Sequence, residues 1–205
     1  EGEYIEFMAP GVIILTAIFT SIFGGVNTLW DRRYGFMNKA LTSPISRSAI
    51  ALGKMSAISL IAALQASLII GIALAIGVTF PNPLMIIPIM GIVILFSLGF
   101  SGISVTLAAT AKSQETFWGM INLLGMPLFM LSPALFPLEL LPNWLAVVAK
   151  LNPVTYTVLL VRELMTGVSE GGVPILISIA VIFAFVIAMV AIASYVFTRE
   201  VNKPF

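Results

Sequence analysis

The chain has 205 residues, of which 60% are hydrophobic and 9% are charged, and its mean hydropathy is +1.10. Soluble domains are about 45–50% apolar and about 25% charged, so ten basic and nine acidic side chains are too few to cover a soluble surface. The net charge of +1 gives no sign of nucleic-acid binding, and the absence of cysteine and histidine excludes disulfides, thiol chemistry and the usual transition-metal ligands. The composition therefore predicts an integral membrane protein.

Five apolar runs reach the length of about 20 residues that a helix needs to cross the hydrocarbon core. The runs do not alternate between apolar and polar residues, which favours helices over the strands of a barrel. The predicted spans, in chain order, are 11–30, 55–80, 84–110, 117–136 and 173–197. We therefore expect an all-α polytopic helical bundle, with residues 1–205 forming a single transmembrane domain.

The basic residues predict the orientation of this bundle, because cytoplasmic loops carry an excess of Lys and Arg. Eight of these residues fall on one side, in loop 31–54, loop 111–116 and the C-terminal tail, whereas only Lys150 and Arg162 fall on the other. We expect loop 31–54 and the C-terminus in the cytoplasm of a multi-pass plasma-membrane protein. The first ten residues have no signal-peptide character, so an external N-terminus leads us to expect an earlier span and six spans in the full subunit. A five-span protein inserted with its N-terminus outside is the alternative.

Residues 30–41, WDRRYGFMNKAL, form a charged segment between the first two spans. At 100° per residue, four of them fall within one stripe: Trp30, Tyr34, Met37 and Leu41. This pattern predicts an amphipathic helix along the membrane plane, with aromatic rings at interface depth. Phe36 lies among the charges, where an aromatic side chain suits a protein partner, although a plain topology anchor is the alternative. Ser43 and Pro44 are predicted to begin the next helix.

Residues 137–172 are too numerous for a turn and too apolar for a solvated loop. Pro142 and Pro153 suit the first turns of two short helices, and Gly167 suits the end of the second. A basic residue interrupts each segment before it reaches 18 apolar residues. We expect short re-entrant or interfacial helices over 137–166 on the outer face. Two amphipathic surface helices without a role in transport are the alternative.

Motifs of catalysis are missing from the sequence. Gly53 and Lys54 lack the upstream glycine and the following Ser or Thr of an ATP-binding loop. We expect a non-catalytic chain that needs no cofactor and draws its energy from elsewhere. The span cores carry no charge, which argues against a proton- or ion-coupled secondary transporter.

Several weak motifs occur in a specific order. They are F-x-x-P-G at 7–11, R-R-x-G at 32–35, T-S-P-I-S-R at 42–47, G-K at 53–54 and N-P-V-T-Y-x5-R at 152–162. In this order and spacing, nearly the whole chain resembles the permease subunit of ABC type-2 transporters, a family of drug, polysaccharide and lipid exporters. Val154 and Tyr34 depart from the family pattern.

The resemblance implies a six-span subunit and a cytoplasmic coupling helix at about 30–41 that docks on a separate ABC ATP-binding subunit. The implied docking residues are Arg32, Arg33, Phe36 and Lys39. It also implies a second permease subunit, identical or different, surrounded by membrane lipids and without nucleic acid. The implied family-motif residues are Asn152, Pro153, Tyr156 and Arg162.

The resemblance further implies that spans 11–30 and 117–136 line the substrate cavity. The candidate lining residues are Thr16, Thr20, Asn27, Asn122, Met126, Phe129 and Met130. Phe and Met suit a large amphipathic, lipid-like or drug-like cargo because Met repacks easily, although both are also ordinary packing or lipid-facing residues. The implied function is export driven by ATP hydrolysis on the partner. A non-transporting membrane scaffold, which needs no ATPase, and a secondary transporter, which needs an ion gradient, are the alternatives.

Overall fold

The computed structural model describes residues 2–78, 82–134, 142–167 and 172–200, and within these ranges every regular element is helical. The helices are α1 (Gly2–Gly24), α2 (Val26–Arg33), α3 (Phe36–Leu41), α4 (Arg47–Ile76), α5 (Ile86–Thr110), α6 (Gln114–Met130), α7 (Asn143–Lys150), α8 (Pro153–Thr166) and α9 (Ile175–Glu200). A 3-10 turn at Pro83–Met85 leads into α5.

Within the described ranges, four helical stretches are long and apolar enough to cross a membrane: Met8–Arg33, Arg47–Ile76, Pro83–Thr110 and Ile175–Glu200. They overlap four of the five predicted spans and confirm a polytopic helical membrane protein. The remaining predicted span, 117–136, overlaps α6. The 17 residues of α6 rise about 25 Å, against about 30 Å for a hydrocarbon core. A fifth span therefore stays a prediction.

Helix α5 lies at the centre of the bundle and packs against α9, α4 and α1. Glycines allow its close approach to α9, because a Cβ added at Gly99 would lie 2.7 Å from Cε1 of Phe185. A Cβ at Gly102 would lie 3.0 Å from the carbonyl oxygen of Met189. The ring of Phe185 lies 5.6 Å from that of the buried Phe100. Small residues on α5 and aromatic rings beside them thus form the α5–α9 seam.

The structure differs from the single helix predicted over 30–41. Helix α2 ends at Arg33 and α3 begins at Phe36, with Gly35 between them at a φ of 77°. Glycine adopts this left-handed conformation without strain, so the chain changes direction there. The N-cap of α4 also differs. The N-cap is Ser46, not the predicted Ser43. The backbone of Ser46 is extended, and its hydroxyl accepts a hydrogen bond from the N–H of Ala49. The Ser43 hydroxyl instead donates to the carbonyl of Ala40.

Two short helices follow α6, as predicted, although residues 135–141 lie outside the described part of the chain. Pro142 is the N-cap of α7 rather than part of its first turn, whereas Pro153 begins α8 and Gly167 ends it at a φ of 74°. Helix α8 is buried along most of its length and packs on α1, α5 and α9, with Arg162 only 1% exposed. An amphipathic surface helix is therefore wrong for α8.

Candidate functional site

Helix α3 is held to the bundle chiefly by the buried Met37, and the partly buried Leu41 packs against the same cluster. Met37 is 3% exposed and packs in a cluster with residues of α4, α5 and α9: Ala51, Met55, Ile58, Val105, Ala109, Ala193 and Phe197. The opposite side of α3 presents Phe36, which is 61% exposed, and the exposed Lys39. The Lys39 ammonium lies 5.9 Å from the centre of the Phe36 ring, within cation–π range. Helix α3 thus has an anchored inner side and an open outer side.

Arg32 and Arg33 differ in their surroundings, although the sequence suggested the same role for both. Arg32 donates from Nη1 to the carbonyl oxygens of Ala108, at 3.2 Å, and Ala109. These carbonyls lie in the last turn of α5 and have no partner within that helix. Arg32 therefore caps α5, whereas Arg33 is exposed. Three of the four predicted docking residues remain on the surface.

A second contact ties α2 to its neighbours. Lys54 of α4 forms an ion pair with Asp31 of α2. Together with the Arg32 cap, it fixes the α2 end of the bundle to α4 and α5. The predicted membrane-facing stripe is divided by the Gly35 break, since Met37 is buried while Tyr34 is 68% exposed.

A charged notch of about 450 Å³ lies between α2 and the start of α6. Its polar lining includes Arg32, Arg33, Lys112 and Glu115. Hydrogen bonds from the backbone N–H of Glu115 and from the Ser113 hydroxyl lower the pKa of the Glu115 carboxyl, and Arg33 lowers it further. Glu115 is therefore ionised at neutral pH and faces three cations, so the notch is net positive and complements an acidic surface.

The pathway candidates of α1 and α2 line a groove of about 520 Å³ beside α4. Thr16, Thr20 and Asn27 lie in this groove with Gln65 of α4. The Thr20 hydroxyl donates to Oε1 of Gln65, whereas the Thr16 hydroxyl donates to the Val12 carbonyl of its own helix, 2.9 Å away. Asn27 is exposed. One wall of the groove is thus polar along more than two helical turns.

The pathway candidates of α6 line an adjacent hollow of about 130 Å³ between α6 and α1, which holds Asn122 and Met126. Phe19 and Phe23 line both this hollow and the α1–α4 groove, and their stacked rings lie 5.7 Å apart. The structure thus brings five of the seven candidates to one face made by α1, the start of α2, α4 and α6, which we call the pathway face. Met130 is 66% exposed at the end of α6, and the Phe129 side chain lies outside the described residues.

The sequence analysis did not select Phe19, Phe23 and Gln65 as lining residues. A signal for Phe23 was present, because residues 16, 20, 23 and 27 recur at helical spacing and share one face of the helical stretch Met8–Arg33. Gln65 had no comparable signal, since its place opposite Thr20 depends on how α4 packs against α1.

The family-motif residues hold helices together. Asn152 accepts the N–H of Val154 at 3.0 Å through Oδ1, which caps α8. Its Nδ2 donates to the carbonyl oxygen of Leu128 in α6 at 2.6 Å. The Tyr156 hydroxyl donates to the carbonyl of Lys150 at 2.7 Å, and so ties α8 back to α7. Arg162 donates from Nη2 to the carbonyl of Pro133, beyond α6, at 3.1 Å. The motif thus connects α6, α7 and α8.

Comparison with known proteins decides the family. The family model of the ABC-2 type transporter matches residues 2–166. This chain belongs to the ABC-2 type transporter family. A putative transport permease, ycf38, of Cyanophora paradoxa is 30% identical over 165 residues, which cover 80% of this chain and 57% of that protein. The daunorubicin resistance ABC transporter permease protein DrrB1 of Streptomyces coeruleorubidus is 23% identical over 188 residues, 89% of this chain and 66% of that protein.

Nodulation protein J of Sinorhizobium fredii is 25% identical over 184 residues, which cover 88% of this chain and 69% of that protein. The chain spans just over half the length of the ycf38 relatives that it matches. Members of the ABC-2 type transporter family are membrane components of ABC transporters and generally pair with an ATP-binding subunit. The family resemblance inferred from the ordered motifs is confirmed.

Proposed function

We propose that this ABC-2 type chain is the permease subunit of an ABC exporter in the plasma membrane. Two permease subunits, identical or different, work with two ATP-binding subunits and move an amphipathic, lipid-like or drug-like substrate out of the cytoplasm. Loop 31–54 and the C-terminus lie in the cytoplasm, as the excess of basic residues there predicts. A relative named for daunorubicin resistance and another named as a probable multidrug permease support a drug-like or amphipathic cargo.

The observation that carries this proposal is the two-sided arrangement of α3. Phe36 and Lys39 are open to a partner, while Met37 on the reverse side packs against α4, α5 and α9. A displacement of α3 by an ATPase therefore reaches three helices of the bundle through close-packed side chains. The net positive notch beside Arg33 adds an attraction for an acidic surface.

The pathway face supports the second part of the proposal. If α6 crosses the membrane, Asn122 lies about 12 Å along it from Gln114, within the hydrocarbon. Asn122 is exposed there, and a polar amide without a partner in lipid costs about 2–7 kcal/mol. Water, cargo or a second subunit is thus a better neighbour for this face than lipid. Two pathway faces that meet across a dimer axis enclose such a cavity.

Energy enters from the partner in this proposal. ATP binding draws the two ATP-binding subunits together, and α3 passes that motion to α4, α5 and α9. The pathway faces then separate on the outer side and release the cargo. The single transmembrane domain comprises α6 as a fifth span, with α7 and α8 as the re-entrant helices of the outer face.

Binding of the ATPase tests the proposal directly. The permease in lipid nanodiscs is titrated with the purified ATP-binding protein encoded beside it, and Kd is measured. We expect Phe36→Ala to weaken binding by about 30-fold, because truncating an exposed aromatic anchor at an interface removes at least about 2 kcal/mol. Tyr195→Ala is the matched control. Like Phe36, Tyr195 is an exposed aromatic residue, 59% exposed, with a cation near its ring, because the Arg199 guanidinium lies 5.0 Å from the ring centre. We expect no change in Kd for that variant.

Two results contradict the proposal. If the folded wild-type permease binds no ATP-binding protein, the exporter has no source of energy, and a membrane scaffold explains the chain better. If Phe36→Ala and Tyr195→Ala bind as tightly as the wild type, α3 is not the docking helix.

A further inference from the structure

The segment that follows α6 is enclosed by two other helices. Within residues 131–134, Ser132 is 5% exposed and Ala134 is 1% exposed. On one side lies Gly11 of α1, where an added Cβ would overlap the carbonyl oxygen of Ala134. On the other side lies α8, from which Arg162 donates to the carbonyl of Pro133. The backbone after α6 is thus fitted between α1 and α8.

The C-terminal end of α6 depends on a side chain from α8 for its hydrogen bonds. The last four carbonyls of a helix have no partner within it. Leu131 donates its N–H to the carbonyl of Pro127 at 2.9 Å, which satisfies one of them. Asn152 donates to the carbonyl of Leu128 at 2.6 Å and satisfies a second. Pro133 has no N–H to offer the helix end. Asn152 therefore caps α8 and the end of α6 at once.

Arg162 provides a second attachment, ten residues and about 15 Å further along α8. It is 1% exposed, and a buried guanidinium is costly unless its donors are used. Its hydrogen bond to the Pro133 carbonyl, at 3.1 Å, is one of the bonds that offset the desolvation cost of burying the guanidinium. Asn152 and Arg162 together fix residues 128–133 at two points along one rigid helix.

Helix α6 has few other attachments toward its C-terminus. Near its start, Phe117 is 0% exposed and Ile121 is 4% exposed, whereas further along Met126 is 60% exposed and Met130 is 66% exposed. Leu128 is the partly buried side chain of this half that packs against the main core cluster, so the contacts beyond α6 add substantially to the few that position it. The same half carries Met126 in the hollow against α1.

We propose that Gly11, Asn152 and Arg162 form a clamp, the α6 clamp, that positions the C-terminal half of α6 against α1 and so sets the shape of the pathway face. These are positioning residues, since they act through the backbone of residues 128–134. The inference deepens the proposed function, on which it rests for the role of the pathway face. It joins two motifs that are 140 residues apart in the chain, F-x-x-P-G and N-P-V-T-Y-x5-R.

Asn152→Asp separates the two roles of Asn152. An aspartate caps α8 as well as asparagine does but has no N–H to donate to the Leu128 carbonyl. Asn82→Asp is the matched control, because Asn82 also precedes a proline and accepts an N–H two residues on, from Leu84 at 3.0 Å. Hydrogen exchange of the permease in nanodiscs is measured by mass spectrometry. We expect exchange over residues 128–134 to quicken about tenfold in Asn152→Asp, with α8 still protected, and no change in Asn82→Asp.

Arg162 gives a rescue test. Arg162→Lys retains a donor for the Pro133 carbonyl and should keep exchange over 128–134 near the wild-type rate, whereas Arg162→Met should quicken it. Labelling then reports on the pathway face, since the chain has no cysteine of its own. In a Leu128→Cys background, we expect Asn152→Asp to raise the rate of maleimide labelling several-fold, because Leu128 is partly buried against the core in the C-terminal half of α6 and that half moves away from α1.

The clamp is refuted if Asn152→Asp leaves hydrogen exchange over residues 128–134 unchanged. It is refuted as well if α8 loses protection together with α6, because Asn152 would then be an ordinary helix cap. It is also refuted if residues 128–134 loosen while labelling of Leu128→Cys stays constant. None of these measurements needs an ATPase. A permease that binds no ATP-binding protein therefore fails the proposed function while the clamp can still be observed.

Discussion

The guanidinium of Arg32 donates a hydrogen bond from Nη1 to the carbonyl oxygen of Ala108, 3.2 Å away at the C-terminal end of α5. This bond joins α2 to the central helix of the bundle. The adjacent Arg33 is exposed and lines the charged notch. Two neighbouring arginines that the sequence does not distinguish thus have different surroundings. Arg32 joins two helices, whereas Arg33 is exposed to a partner.

This difference predicts opposite results for two matched substitutions. Arg32→Met should lower the free energy of unfolding by about 1.5–3 kcal/mol, because it removes hydrogen bonds from a charged donor to α5. Arg33→Met should change stability by no more than about 0.5 kcal/mol and should weaken ATPase binding. Unfolding in mixed micelles and the nanodisc titration measure the two quantities. Equal loss of stability in both variants would contradict the assignment.

Glycine substitutions test the close approach of α1 to residue Ala134. Gly11→Ala should destabilise the chain by about 1–3 kcal/mol, because its Cβ would overlap a backbone carbonyl that has little room to move. Gly119→Ala in α6 is the control, since no atom lies within 4 Å of the added Cβ. That change should stabilise the helix by about 0.5–1 kcal/mol. Thermal unfolding of both variants is the measurement. If Gly11→Ala is as stable as the wild type, the backbone at Ala134 can move to make room for the added Cβ.

The bond between Thr20 and Gln65 predicts an energetic coupling across the α1–α4 groove. A double-mutant cycle of Thr20→Val and Gln65→Leu should give a coupling of about 0.6 kcal/mol, and no more than about 1.7 kcal/mol, as for other interhelical hydrogen bonds in membranes. The cycle of Thr16→Val with Gln65→Leu should be additive, because the Thr16 hydroxyl bonds to its own helix. Coupling in the second cycle and none in the first would disprove this pairing.

Cross-linking tests whether two pathway faces meet in a dimer. Met126→Cys, 60% exposed on that face, should form a covalent dimer with a short bismaleimide in membranes. Ile187→Cys, 65% exposed on α9, should remain monomeric because α9 lies on another side of the bundle. The wild-type chain has no cysteine, so both variants have a clean background. Efficient cross-linking through position 187 alone would place the dimer contact on α9 instead.

Local sequence signals predicted those parts of the fold that depend on local chemistry. The apolar runs located four spanning helices, and Pro153 with Gly167 marked both ends of α8. The break at Gly35 was missed because the stripe from Trp30 to Leu41 satisfies helical spacing even though the backbone does not continue through it. Periodicity describes side chains and cannot detect one residue with a positive φ.

The candidate site was predictable only where one helix carries its residues. Thr16, Thr20 and Asn27 share a face of the helical stretch Met8–Arg33, and spacing alone brings them together. Gln65, the Arg32 cap and the contact of Asn152 with Leu128 depend on packing between helices distant in sequence. Arg162 was read as a charge that interrupts an apolar segment, because its burial follows from carbonyls supplied by residues near 133.

The stretch from Met8 to Arg33 connects the two ends of the molecule. Gly11 touches the chain beyond α6 near one end, and Arg33 stands beside α3 at the other, about 33 Å away along the axis. A tilt of this helical stretch by about 5° about its midpoint would displace each end by about 1.5 Å. That exceeds the gap of about 0.5–1 Å at which packed atoms already lose a quarter to a half of their dispersion attraction. A small rotation of this stretch therefore has the amplitude to open or close the contact between Gly11 and Ala134, without bending any helix.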